Sequence, residues 1–343
     1  MQTSLHDEHT GTLALAYDPF VLTTGRFAPG QADRYCAAQT GADRCSLGLA
    51  ELMYYRGDVQ RASKEFVRLT ASEDSATVMA SILCRSICAL SGGDIHDILD
   101  SYDSAKALSA ALSADEPMRK MSDFFLLYFN ILINNVPDIH FPAVGVNAFS
   151  VPQSLKPMAF YAYAHYLIET GDIGRAVGMA EGALIFMEKP CPVAEIYLCL
   201  MVSIGYTVRC IWDKAEYYFR HAWELAKPDG LIMPFAEHRG MLSGMLEKCL
   251  RYEEPQAYKK ILELANKYHK RWVFVHNALT GDRIADSLTA IEYNVASLAA
   301  KEMTNKEIAD FLGITVNSVR AHLRNIFNKL CIESRKEIGG YVI

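Results

Sequence analysis

Between Thr304 and Leu330 the chain reads TNKEIADFLGITVNSVRAHLRNIFNKL, a pattern that permits little besides two helices meeting at a sharp corner. Ile308, Ala309 and Leu312 form one apolar stripe at helical period over Asn305–Leu312. Thr304 is placed to cap that helix, and Glu307 three residues on completes a capping box. Gly313 follows where a C′ glycine takes the left-handed conformation that ends a helix. Ile314 is apolar and plugs the corner. Thr315 then caps a second helix, in which Val319, Leu323, Ile326 and Leu330 repeat as one buried seam.

The opposite face of the second helix carries Asn317, Arg320, Ala321, Arg324 and Asn328. From Thr315 to Leu330 there are three basic residues and no acidic one. Arginine and asparagine make paired hydrogen bonds to guanine and adenine edges in the major groove, and Ala321 is small enough to let the helix approach a thymine methyl. Two helices with a tight glycine turn, the second basic and amide-rich, describe a helix-turn-helix. Thr304, Asn305 and Lys306 at the start of the first helix, and Ser318 in the first turn of the second, are then candidates to hold phosphates. The stretch by itself fits equally well an ordinary pair of amphipathic helices with a solvated basic face.

The flanks separate these readings. The segment Leu288–Ile338 resembles, without a gap, the DNA-binding domain of the LuxR (GerE) family of transcriptional regulators. Leu288, Thr289 and Glu292 fit the start of its first helix, Asn305 to Ala309 its scaffold helix, and Ser318, Val319, Arg320, His322 and Leu323 its recognition helix. Lys329, Leu330, Ser334 and Arg335 fit the join to its fourth helix. The resemblance implies a four-helix fold that binds DNA. Three positions depart from it. Ile291 replaces a usual basic residue, Cys331 a frequent glycine, and Glu302 the usual glycine between the first two helices, so that this connection must turn without a residue free to take positive φ. Gly339 and Gly340 fall in the fourth helix, which the family often uses for dimer contact, and shorten it.

The net charge of −6 at first argues against a nucleic-acid partner. Residues 288–343, however, hold seven Lys/Arg against six Asp/Glu, while residues 1–287 hold 27 against 34. The acidity belongs to the larger part, and the smaller part concentrates its positive charge on one helix face, where short-range phosphate attraction needs it. Nine cysteines without a CxxC pair read as reduced thiols in a cytoplasmic protein. Cys84 and Cys88, one turn apart, lack further ligands and read as core; His6 and His9 are too few for a metal site. Asp7 and Glu8 interrupt any signal peptide. The longest apolar run, FFLLYFNILI over Phe124–Ile133, is too short for a membrane span.

Ahead of residue 288 the chain reads as helices throughout. Gly57-Asp58 is followed by Ala62, Phe66 and Leu69, and Gly171-Asp172 by Ala176, Ala180 and Ala183. Gly93-Asp94 gives a weaker copy, and a fourth copy lacks the glycine but keeps Ala215, Phe219, Ala222 and Pro228. Val136–Gln153 reads as a long surface connection. These patterns resemble the tetratricopeptide repeat, which implies antiparallel helix pairs stacked into a solenoid with a concave, ligand-binding groove. Regulators of the MalT type join such repeats to a LuxR-type module, and the chain resembles a short version of them. No glycine precedes a lysine, so no P-loop exists. Tyr161, Tyr163, Tyr166, Tyr197, Tyr206, Trp212 and Trp223 could stack on a ligand, but aromatic residues at helical spacing more often belong to the core.

The resulting expectation is an all-α protein with a segment 1–42, either partly disordered or a first helix pair with Arg34, Tyr35 and Cys36. A tetratricopeptide-like sensor or interaction domain follows over 43–275, then a linker over 276–287 and a helix-turn-helix domain over 288–343. Asn266–Ser287 would connect the domains, with LTGD (Leu279–Asp282) as hinge. The function expected is a cytoplasmic, homodimeric transcription regulator on an inverted-repeat operator, with a small-molecule or peptide ligand in the groove and no cofactor, metal or catalytic group. The alternative is a repeat scaffold or adaptor without a DNA role.

Overall fold

The computed structural model describes residues 19–91, 96–111, 117–135, 151–187, 189–242, 244–280, 288–330, 332 and 334–342; the Gly93-Asp94 dipeptide of the weaker repeat copy and most of the 136–153 connection lie outside them, while Ile98, Tyr102 and Ala105 of that copy are buried. The described secondary structure is helical, as expected. A short α1 (Ala32–Ala37) leads into the pair α2 (Ala42–Tyr55) and α3 (Val59–Leu69), then α4 (Ser75–Ser91) and α5 (His96–Ala111), and α6 (Pro117–Leu132). The pairs α7 (Lys156–Glu169) with α8 (Ile173–Ile185) and α9 (Pro192–Val208) with α10 (Trp212–Ala226) follow. The helix α3 shows why these segments pair. It buries Val59, Ala62, Phe66 and Leu69 on one face, and leaves charged residues on the other.

The corners between paired helices share one device. Gly57 and Gly171 take φ of 81° and 83°, and the next N–H reaches back five residues, from Asp58 to the Met53 carbonyl and from Asp172 to that of Leu167. This is the Schellman closure of a helix end. In the copy without glycine, Cys210 takes φ 56° and Ile211 N–H bonds the Tyr206 carbonyl, so the same corner is made without the residue that signals it.

The helices α2, α4, α6, α7 and α9 pack side by side as an inner layer. Here the structure departs from an open solenoid. The short α11 (Met233–Glu237) touches α9 at one end of the row and α2 at the other, and the long α13 (Pro255–Thr280) lies against α11 and α4. The row thus closes into a ring whose concave face is filled. Its ends are tied by polar bonds. Ile232 N–H donates to the Tyr55 carbonyl at 2.8 Å, and Arg56 Nε to the Asp229 carbonyl at 2.9 Å. The Asp229 carboxylate accepts from the N–H groups of Gly30 and Ala32, at 2.6 and 2.9 Å. The segment 19–25 is a buried strap across the inner layer, held by Glu51, whose oxygens accept from Val21 N–H, Thr23 N–H and Thr23 Oγ1, each at 2.7 Å. At least from residue 19 onward, then, the first segment is packed structure.

Most of the aromatic candidates for a groove belong to the core. Tyr161, Tyr163, Tyr197, Tyr206 and Trp223 are buried, and the fully buried rings of Tyr161 and Tyr197 lie 4.6 Å apart. Residues 266–280, expected in the connection, are the second half of α13 and pack inward. Trp272 Nε1 donates to the Leu132 carbonyl at 2.6 Å, and His276 Nδ1 lies 2.6 Å from that of Ile133. Of the expected hinge, Leu279 and Thr280 are helical; Gly281 and Asp282 lie outside the described residues. Among the described residues no helix is long and apolar enough to cross a membrane.

Candidate nucleic-acid interface

The C-terminal unit comprises α14 (Ala290–Ala300), α15 (Asn305–Leu312), α16 (Val316–Leu330) and a 3-10 turn over Arg335–Gly340. Val295, Leu298, Ile308, Leu312, Val319 and Ile326 meet in its core. The α15 capping box is present. Thr304 N–H donates to Glu307 at 2.7 Å and Glu307 N–H to Thr304 Oγ1 at 3.3 Å. The Thr304 hydroxyl and backbone hold the Glu307 carboxyl below its usual range. A second box, Thr289 with Glu292, starts α14. Gly313 sits at φ 61°, and Ser318 N–H bonds Thr315 Oγ1 at 3.0 Å.

One expectation is corrected. Glu302, where a glycine would be free to turn, itself takes φ 62°, and Met303 N–H bonds the Leu298 carbonyl. The connection turns by the same left-handed closure, imposed on a side chain that resists it. The fourth helix is shortened to a 3-10 turn containing Gly339 and Gly340.

On α16, Asn317, Arg320, Ala321 and Arg324 are all exposed, while Val319, Leu323 and Ile326 are buried. Arg320 Nη1 lies 3.3 Å from Asn317 Oδ1, so the two polar groups stand side by side on the outer face. The side chain of Asn328 lies outside the described residues. Ser318 is partly buried, with its hydroxyl on that of Thr315 at 2.8 Å. Lys306 is exposed at the start of α15. Asn305 is already engaged, its Oδ1 accepting from Arg335 Nη1 at 2.8 Å. Arg335 also donates to the Met303 carbonyl and so fixes the entry to α15. Burial draws its guanidinium below the ordinary value. This anchoring role has no local signal, because thirty residues separate Arg335 from Asn305. Lys329, counted with the basic residues of the helix, bonds Glu292 at 2.6 Å and ties α16 to α14. Burial opposes ionisation of Glu292, but Lys329 and Thr289 outweigh it and the carboxyl lies below its usual range.

The unit docks on the ring through the far end of α15. Phe311 lies on Trp212 with ring centroids 4.8 Å apart, and Lys248 Nζ sits 5.4 Å from the Phe311 centroid. Arg251 Nη1 donates to the Leu312 carbonyl at 3.4 Å. Gly244, at φ 89° before α12 (Met245–Leu250), permits this approach. A Cβ there would lie 2.5 Å from Leu312 Cδ2 and 3.1 Å from Phe311 Cε1. The exposed residues of α16 take no part in these contacts.

A capped scaffold helix, a left-handed glycine corner and a second helix with an open polar face define a helix-turn-helix unit. Residues 286–341 match the family of bacterial regulatory proteins, luxR family, and this segment is a LuxR-family helix-turn-helix domain. It is similar to the transcriptional regulatory protein LiaR of Bacillus subtilis (strain 168), with 39% identity over 56 residues, which is 16% of this chain and 26% of that protein. The chain thus matches only about a quarter of that relative's length. No solved structure matches the chain significantly. Among the described residues no group of acidic, histidine and cysteine side chains could hold a metal ion.

Proposed function

We propose that the chain is a cytoplasmic, sequence-specific DNA-binding transcription regulator, with the helical ring as its sensor or interaction domain. The observation that carries this reading is the outer face of α16. Asn317, Arg320, Ala321 and Arg324 stand exposed together, while Lys329 is spent on an internal ion pair. A helix that merely capped the ring would have no need of an acid-free, amide- and guanidinium-bearing face. Lys306, with the α15 N-terminus and Ser318, lies where a phosphate would be held without reading sequence. A single recognition helix contacts too few base pairs for selectivity, so the protein acts as a dimer on two half-sites about one helical turn apart. The 3-10 turn offers a small surface for such a dimer, and the ring contributes contacts.

Selection of bound sites from random DNA by the full chain tests the reading. A two-fold motif is expected. Arg320→Ala or Arg324→Ala should cost about 1–3 kcal/mol on the selected site and relax preference at one base position. Equal losses on selected and random DNA would show phosphate contacts only, and no motif at all would favour the scaffold reading. Sedimentation of the full chain with and without the site reads the dimer.

A further inference from the structure

The inner layer of the ring lines a cavity of about 50 Å³. Its wall is largely aromatic, with Tyr54 and Tyr55 from α2, Phe124, Phe125 and Tyr128 from α6, and Tyr197 from α9. Glu51, 2% exposed, is the charged member of the wall among the described residues, and no Lys, Arg or His lines it. Its three hydrogen-bond donors, from Val21 and Thr23, bring no positive charge. A second carboxylate lies one layer behind, where Glu237 accepts from the hydroxyls of Tyr54 and Tyr197, the latter at 2.7 Å.

These facts select a guest by charge. One carboxylate faces an aromatic wall that includes no cation, although an isolated buried charge is costly; Arg44, which donates to the Pro19 and Phe20 carbonyls of the strap, favours its charge from outside the wall. The faces of aromatic rings attract cations most strongly where water is excluded. An anion would meet only repulsion, and a neutral apolar guest would leave the carboxylate as it is. Size narrows the choice further. A water needs about 10–15 Å³ of such space, so the cavity holds about four heavy-atom groups. We propose that this cavity binds a small alkylammonium cation, of the size of trimethylammonium, between the aromatic rings and Glu51. Burial raises the Glu237 carboxyl to about 7 even though both phenols favour its charge, which fits a carboxyl that lacks a cationic neighbour.

The site is placed to report its occupancy. Phe20 and Thr23 of the strap close one side of it, so a cation at Glu51 acts on the carboxylate that holds the strap down. A role for the cation as the input to DNA binding rests on the sensor reading above. Binding itself is measured without DNA, so a failure of one is told from a failure of the other.

Calorimetric titration of the full chain with trimethylammonium chloride is the test, with tert-butanol as a neutral guest of similar size and sodium chloride as the ionic control. Saturable binding in the millimolar range or tighter is expected for trimethylammonium, and binding weaker by about ten-fold or more for tert-butanol. Ile87→Phe, which fills the cavity from α4, should abolish binding with little change in melting temperature. Cys84→Leu serves the same purpose should the first variant fold poorly. Glu51→Gln should weaken binding by about ten-fold. No saturable heat with the wild-type chain overturns the proposal. Equal affinity for tert-butanol reduces the cavity to an apolar hole, and unchanged binding in both filling variants puts the cation elsewhere.

Discussion

Glu302 and Cys210 hold backbone conformations that cost a side chain about 1–2 kcal/mol each, with φ of 62° and 56°. Both sit at the C′ position of a helix, where the following N–H closes back onto the last turn. Replacing Glu302 with glycine relieves the strain, offset in part by the greater freedom of glycine in the unfolded chain. Glu302→Gly should therefore raise stability by up to about 1 kcal/mol in chemical denaturation. A loss of stability would show that the carboxylate makes up for its backbone. Glu237 gives a second test at this scale. Its carboxyl, raised from 4.5 to about 7 by burial, keeps a proton in the folded chain that the unfolded chain has lost between those values. Its contribution is complete below pH 4.5 and is lost as pH rises through 7. His238, lowered to about 3 by burial, has the opposite effect between 3 and 6.5, since the unfolded chain there binds the extra proton. The two partly cancel, so the contrast with Glu237→Gln is the measurement. The stability of that variant relative to wild type should rise from pH 5 to 8 by roughly 3 kcal/mol, and a flat difference would mean that Glu237 titrates normally.

The helix α15 shows at the next scale what sequence discloses. Its start and end were legible because a capping box and a C′ glycine act within four residues of themselves. The same holds for the seam of α16 and for its open face. Charges whose partners lie far away in sequence were not legible. Lys329 read as a basic surface residue but bonds Glu292, and Arg335 carried no sign that it would fix the entry to α15 through Asn305. Nor could the corners at Cys210 and Glu302 be read locally, because glycine is the local signal and packing can impose the same φ on another residue. Lys306 remains exposed at the α15 N-terminus. Lys306→Ala should weaken binding to all DNA alike and lower the slope of log affinity against log salt by about one unit. An unchanged slope would place the lysine away from the phosphates.

The helical pairs of the whole molecule were visible in the sequence, but their closure into a ring was not. The bonds that close it join Gly30 to Asp229 and Tyr55 to Ile232, and contacts across such separations leave no periodic trace. The docking of the LuxR-family domain was hidden for the same reason, although Gly244 marks it once the structure is known. Gly244→Val would place side-chain atoms where Leu312 and Phe311 now lie, at a φ of 89° that a β-branched residue resists. The variant should release the domain from the ring, increase the radius of gyration in solution scattering and expose Trp212 to fluorescence quenchers. An unchanged radius and unchanged quenching would show that the docked arrangement does not depend on that approach. The ring also sets an order of events during synthesis. An open stack of repeats can fold pair by pair as it leaves the ribosome, because each pair leans only on its neighbours. Here the carbonyl of Tyr55 waits for Ile232, and the amides of Gly30 and Ala32 wait for Asp229. The helices α1 and α2 are therefore seated only after the last helices of the ring have emerged, and until then their inner faces stay open to chaperones.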